Sequence, residues 1–334
     1  MREVSKLARV SVMTVSNVVN RRYQFVGEKT RARVERVIRE TNFHPNATSR
    51  KLRSRREYSV GMVIVDDNPA YLQDPFITEI VAGFSNHLSL HNYSLSLQGI
   101  LPNRLVDAAI FSTVGLDAIC FMSCGSTRAR QKMIEFLRSR RQPIVLIQET
   151  LNLEDDDIAV INQDDYSGGQ MIAAHVLAKG ARKLLLIVPS MEWPAIEERR
   201  RGIEAAIRES HPGATLDVLV GPGEDFDQTQ RALQHYIHVN GLPDAMLGGN
   251  DRLAIACLRH LQDKGLRAPQ DVLVTGFNGF QSSRYTTPTL TTVISPATEM
   301  GQQAGAIVIR RLQTGHFAKN RITYPVRFQQ GGST

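Results

Sequence analysis

The stretch Val10-Ser11-Val12-Met13-Thr14-Val15-Ser16-Asn17-Val18-Val19-Asn20 decides how the N-terminal end of this chain is read. Ser11 offers a hydroxyl to cap a helix over residues 12–20. Val15 and Val19, four apart, predict the face turned to a small core, and Val12, Met13, Ser16, Asn17 and Asn20 fall on the opposite face. Just upstream, Val4, Leu7 and Ala8 predict one face of a short first helix, which ends at Arg9-Val10. Two short helices around a tight turn, the second exposing small, amide and apolar side chains, describe a helix-turn-helix. A third helix over 28–41 would bury Val34, Val37 and Ile38 and expose Lys29, Arg31, Arg33, Arg36 and Arg39. A bland amphipathic hairpin fits the same pattern.

Charge separates this head from the rest of the chain. Residues 1–60 hold 15 Lys and Arg against 5 Asp and Glu, and residues 61–334 hold 25 against 28, so the head carries +10 and the body −3. A basic head on a near-neutral body suits nucleic acid or a membrane surface. The basic residues flank a groove-sized helix and leave no lipid-facing apolar stripe, which favours DNA. Length and 42% apolar composition predict two or three domains and exclude a long disordered protein.

Beyond the third helix, Pro45 stops the pattern, and Ala47-Thr48-Ser49-Arg50-Lys51-Leu52-Arg53 forms a short basic stretch with one leucine. The residues quoted for the second helix, with Thr30-Arg31-Ala32-Arg33-Val34, Pro45-Asn46 and Leu52, resemble the head and hinge of the LacI (lac repressor, GalR) family of bacterial transcription regulators. The resemblance implies a DNA-binding domain over 1–45 and a hinge helix and linker over 46–57. It implies base reading in the major groove by Val12, Met13 and Asn17, with Ser11, Thr14, Ser16 and Asn20 beside them. In the hinge it implies Asn46 and Ser49 at the DNA and Leu52 as a wedge between base pairs. Arg9 stands where the family has a turn glycine, Ser5 where it has alanine, and the loop over 21–26 is slightly long. The chain opens nearly at its first helix, so either the first turn is short or the start lies upstream.

The body alternates strand and helix. Strands are predicted over 58–65, 93–97, 118–122, 144–147, 183–188 and 215–220, and helices over 77–90, 128–138, 168–178 and 197–209. That alternation predicts parallel sheets covered on both faces. Gly249-Asn250-Asp251-Arg252-Leu253-Ala254-Ile255-Ala256, Lys264 to Asp271, Gly276-Phe277, and Pro288-Thr289-Leu290-Thr291-Thr292-Val293 through Glu299-Met300-Gly301 follow the same family in order. The resemblance thus implies an α/β periplasmic-binding-protein-like core over 58–334 of two doubly wound parallel-sheet subdomains. The first would take 58–157 and 290–318, the second 158–289 and 319–334.

Ligands of open α/β sheets bind beyond the carboxyl ends of strands. The resemblance nominates Asn250 as an effector contact, with Asp251 either a contact or a helix cap. Asp74 and Phe76 precede a helix as the family's Asn-Pro-Phe does, and Phe76 either stacks on a ligand ring or packs. Arg199 has the family's arginine spacing before Gly202, with Arg200 and Arg201 as register competitors, and Asp164 is a contact or a cap. Gln148 and Asn278 stand where sugar-binding relatives commonly place aspartates. Two fewer acids lower the repulsion of an anion, which favours a sugar acid over a neutral hexose. The Gly276-Phe277-Asn278-Gly279 stretch also resembles gluconate-type members. Trp193 is a lid residue or plain packing.

GxxxxGK[ST], GxSxG and HExxH are all missing from the sequence, and Gly221-Pro222-Gly223 reads as a turn. No catalytic residue, metal or cofactor is expected. His235 and His238 read as surface or core histidines, and Cys120, Cys124 and Cys257 as core or loop thiols of a reducing cytosol. With no apolar leader and no membrane partner, the expectation is a cytoplasmic, nucleoid-associated regulator. It would be an effector-controlled repressor, a homodimer or higher, on a near-palindromic operator. The rivals are a solute-binding protein, which would need an export signal, an enzyme, and an effector-independent regulator with a protein corepressor.

Overall fold

The structure is a computed structural model that describes residues 1–19, 22–43, 57–112, 115–221 and 226–334. The chain divides into two compact units, Met1–Glu57 and Tyr58–Thr334.

In the first unit, helices α1 (Arg2–Ala8), α2 (Val12–Val19) and α3 (Glu28–Glu40) surround a core of Val4, Ala8, Val15, Val18, Val34 and Val37. Two details differ from the sequence-based reading. Leu7 is 58% exposed, because α1 turns Val4, Ser5 and Ala8 inward and that arc leaves Leu7 on the flank. On α2 the inner pair is Val15 and Val18, with Val19 at the edge of the core. Val12 and Met13 are exposed as expected, Met13 at 69%. Asn20, Asn46, Ser49 and Leu52 lie outside the described residues.

The second unit holds two parallel sheets and a short antiparallel pair. Strands β1 (Ser59–Val65), β2 (Ser94–Ile100), β3 (Ala118–Ser123), β4 (Ile144–Ile147), β5 (Ile158–Gln163) and β11 (Arg321–Tyr324) form a six-stranded sheet in the order β11-β5-β4-β3-β1-β2. Strands β6 (Lys183–Val188), β7 (Thr215–Val220), β8 (Ala245–Gly248) and β9 (Leu273–Thr275) form a four-stranded sheet in the order β7-β6-β8-β9. Strand β10 (Thr292–Ile294) pairs with β12 (Arg327–Gln329). The central strands β1, β3 and β4 are buried along their whole length, as strands covered on both faces must be. Helices α4 (Pro75–Leu90) and α10 (Ala297–Thr314) cover one face of the first sheet with Ile80, Phe84, Met300, Ala304 and Val308. Helix α5 (Thr127–Ser139) lies on the other face of the first sheet, and helices α6 (Asp165–Ala178) and α7 (Pro194–Ser210) cover one face of the second, with α8 (Phe226–Asn240) on its other face.

The subdomain boundaries need correction. The resemblance implies the second subdomain for residues 158–163, but β5 pairs with β4 in the first sheet. Residues 319–324 also join the first sheet, through β11 on β5. Residues 290–294 go the other way, since Val293 packs with Phe277 and Phe328 in the second core. The chain therefore crosses between subdomains after β5, after β10 and after β11. The cause is long-range: a strand belongs to the sheet whose edge it extends, and neither edge is marked in the local sequence.

Candidate DNA-reading face and effector cleft

Helix α2 of the head is fixed at its start by Ser11, whose Oγ accepts the Thr14 N–H at 3.0 Å and lies 2.9 Å from Thr14 Oγ1. Both side chains are thereby engaged in capping. Val12 and Met13 project into solvent, and Ser16 and Asn17 are half-buried on the flanks. Arg9 ends α1 with φ 51° and ψ 53°, the left-handed conformation that explains why a glycine suits this turn. On α3, Lys29, Arg33, Arg36 and Arg39 are exposed. Arg31 differs from the expectation: its guanidinium lies 3.7 Å over the Tyr23 ring and pairs with Glu35 at 2.7 Å, which ties the 22–26 loop to α3.

In the body, Asp74, Phe76, Gln148, Arg199, Asn250 and Asn278 line one cavity between the two subdomains, together with Met122, Pro189, Trp193, Ala195 and Ile196. The space between these walls is about 450 Å³ when the solvent open at its mouth is counted with it. Each wall follows from a local structural rule. Asp74 caps α4, its Oδ1 accepting the Phe76 N–H at 2.9 Å, which turns the Phe76 ring inward. Asn250 caps α9 (Asp251–Asp263), its Oδ1 accepting the Leu253 N–H at 3.0 Å. Gln148 and Asn278 leave the ends of their strands at φ 57° and φ 97°, a region that Asn tolerates better than most residues.

Asp164 is absent from the cavity. Its carboxylate accepts the Ser167 N–H at 3.0 Å and the Ser167 hydroxyl at 2.7 Å, which makes it the α6 cap, beside a shallow surface hollow with Asn162, Tyr166 and Arg321. The neighbouring residue is the one the sequence reading missed. Asp165 is 4% exposed and pairs with Arg199 Nε at 2.8 Å. It also accepts Gln148 Nε2 at 2.9 Å and Gln163 Nε2 at 2.8 Å. Burial pushes its carboxyl above the ordinary carboxylate range, while Arg199 and the two amides pull it back.

Two other buried polar groups frame the cleft. Asp251, fully buried, accepts the Thr292 hydroxyl at 2.5 Å and the Phe280 N–H at 2.6 Å, so it is a latch between α9 and the crossing strands and stands outside the lining of this cavity. Desolvation pushes its carboxyl up to about 7. Arg130 and Glu149, also buried, pair at 3.1 Å, and Arg130 Nη1 donates to the Gly125 carbonyl at 2.6 Å. Gly125 in turn donates its N–H to the Glu192 carbonyl at 2.8 Å, a contact between the subdomains at the cleft mouth. Arg200 and Arg201 pair with Glu204 and Glu198 on the outer face of α7. Trp193 lines the cleft and packs against the first subdomain's core.

Cys120, Cys124 and Cys257 are buried free thiols pushed up to about 12 by burial. His235 and His238 are exposed. Among the described residues there is no group of His, Cys, Asp and Glu that could hold a metal ion, and no helix long and apolar enough to cross a membrane.

Comparison with known proteins agrees with both units. Residues 1–46 match the model of bacterial regulatory proteins of the lacI family, and residues 173–334 match a periplasmic binding protein-like domain. The HTH-type transcriptional repressor PurR of Aliivibrio salmonicida (strain LFI1238) is 24% identical over 318 residues, covering 94% of this chain and 92% of that protein. The ribose operon repressor of Escherichia coli (strain K12) is 27% identical over 350 residues, covering 100% and 99%. Among solved structures, the lac repressor bound to ONPG in its repressed state aligns with a TM-score of 0.81 at 19% identity over 99% of this chain and 98% of that one. A CelR–cellobiose complex aligns with a TM-score of 0.73 at 24% identity, again over 99% and 98%. The chain thus carries a lacI-family regulatory head at its N-terminal end and a periplasmic binding protein-like domain over 173–334, in this order.

Proposed function

We propose that this protein is a sugar-responsive transcriptional repressor that acts as a homodimer on a near-palindromic operator. One observation carries the reading: a single chain joins a helix-turn-helix with an outward Val12-Met13-Asn17 face to a cleft walled by Phe76, Arg199 and Asn278 from both subdomains. Relatives that span nearly the whole chain are named as repressors, one of them of a ribose operon, and a similar structure holds cellobiose. In this reading Val12 and Met13 meet thymine methyls and Asn17 bonds adenine. Ser11, Thr14, Ser16 and Asn20 support that contact, and Asn46, Ser49 and Leu52 act from the hinge, Leu52 as a wedge. Exposed arginines of α3 contribute salt-sensitive phosphate contacts. The effector takes hydroxyl partners from Asp74, Arg199 and Asn278, with Phe76 and Trp193 as apolar walls. The protein works in the cytoplasm at the nucleoid, where DNA is within reach and thiols stay reduced.

The test is selection of binding sites from a random duplex pool with the full-length protein. A two-fold symmetric consensus, bound at least ~10³-fold more tightly than a scrambled duplex, is expected. Equal affinity for consensus and scrambled duplexes contradicts the reading.

A further inference from the structure

Among the described residues that line the cavity of Phe76 and Asn278, Arg199 is the one cation and Asp74 the one acid; the adjoining hollow at the cleft mouth adds Arg130 and Arg200 with Glu192, Glu197 and Glu198, an excess of acid there. The Arg199 guanidinium is engaged on three sides before any ligand arrives. Nε donates to Asp165 Oδ1 at 2.8 Å, Nη1 to the Gly249 carbonyl at 2.5 Å and Nη2 to Asn278 Oδ1 at 3.0 Å, while the Phe277 ring lies 3.8 Å away under the plane. Asp165 stands behind the wall, and its remaining contacts define its protonation. Gln148 Oε1 accepts the Gln163 N–H at 3.1 Å, so the Gln148 amide must turn its NH2 toward Asp165. Gln163 Oε1 accepts the Ser295 hydroxyl, so the Gln163 amide does the same. Every neighbour of the Asp165 carboxyl is therefore a donor. A carboxylic proton would face another hydrogen, so the group is held as a carboxylate.

We propose that Asp165 is the specificity-determining residue of the cleft: by cancelling the charge of Arg199 it makes the cavity select uncharged polyhydroxy ligands, pentoses or hexoses, against the corresponding sugar acids. The inference rests on the effector-cleft reading above and reverses the preference for a sugar acid drawn from Gln148 and Asn278. A carboxylate ligand needs an uncompensated cation. Near Arg199 it would instead meet Asp165 and Asp74, one negative charge in excess, beside a guanidinium and a carboxylate that are both buried. Neutral hydroxyls can take the N–H groups of Arg199 still directed away from Asp165, Gly249 and Asn278, adding no charge.

Trp193 is the sole tryptophan of the chain and lines the cavity, so its fluorescence reads occupancy directly. The probes are D-ribose, D-glucose and D-galactose, each matched with the aldonate formed by oxidising its C1. Titration of the full-length protein is expected to show binding of at least one neutral sugar, with its aldonate weaker by about tenfold or more. Asp165→Asn is expected to narrow that ratio to about threefold or invert it. The wild-type ratio stands by itself should this variant fail to fold. A wild-type protein that binds an aldonate as tightly as its parent sugar overturns the inference and leaves the effector cleft intact. So does a folded Asp165→Asn protein with an unchanged ratio. If none of the six probes alters fluorescence or melting temperature, the effector-cleft reading falls and this inference with it.

Discussion

Single residues in this protein carry local conflicts that can be measured. Arg9 occupies a left-handed turn in which a side chain is strained. Arg9→Gly is expected to stabilise the head by about 0.5–1 kcal/mol, read by thermal unfolding; an unchanged or lower melting point contradicts the account. Asn17→Ala is expected to lose about 1–3 kcal/mol of discrimination at one base pair per half-site. Arg33→Ala should weaken all duplexes alike and flatten the salt dependence. Comparing the two variants on consensus and point-mutated duplexes separates reading from phosphate contact. Asp251 adds a pH signature. Its folded carboxyl sits at about 7, whereas an unfolded aspartate titrates at roughly 3.9. The folded chain thus holds a proton that the unfolded chain releases, so this contribution is complete below pH ~4 and is lost as pH rises to about 7. Denaturant titrations across that window should show stability falling, and Asp251→Asn should remove this part of the slope. At this scale the sequence pointed to six residues that line one cavity, because strand ends and helix caps are marked by residue type. It did not separate Asp164 from Asp165. The two acids are adjacent, and only the direction of the first helical turn decides which one is buried.

At the scale of elements, the Asp165–Arg199 pair depends on how closely two helices approach. A Cβ on Gly202 would come within 2.0 Å of the Tyr166 carbonyl, and one on Gly169 within 2.1 Å of the Arg199 carbonyl. These glycines let α6 and α7 pack backbone to backbone, which brings the two buried charges to 2.8 Å. Gly202→Ala is therefore expected to destabilise the body by about 1–3 kcal/mol and to abolish sugar-induced change in Trp193 fluorescence. Gly213→Ala, where an added Cβ has nothing within 4 Å, should change neither. Equal behaviour of the two variants contradicts the packing argument. Elements with a clear period were readable: β4, β6 and β7 begin and end where the sequence predicts. Strand β5 was not. Its four apolar residues lie between an acidic turn and Asn162-Gln163-Asp164-Asp165, and too short a run remains to tell a strand from a loop. What makes it a strand is pairing with β4 and β11, and β11 lies more than 150 residues away.

At the scale of the whole molecule, function rests on coupling the cleft to the head. The three crossings between subdomains pass Gln163, Ser295 and the segment between β11 and β12, and the first two belong to the hydrogen-bond chain that ends on Asp165 and Arg199. A ligand on Arg199 therefore bears on the segments about which the subdomains would turn. Linkage requires the coupling to be reciprocal. The most direct measurement is the affinity of the full-length protein for its selected operator duplex with and without a saturating neutral sugar, paired with sugar affinity with and without duplex. The account predicts that both change by the same factor, about 5–150-fold. A sugar that binds the cleft and leaves operator affinity unchanged would contradict it.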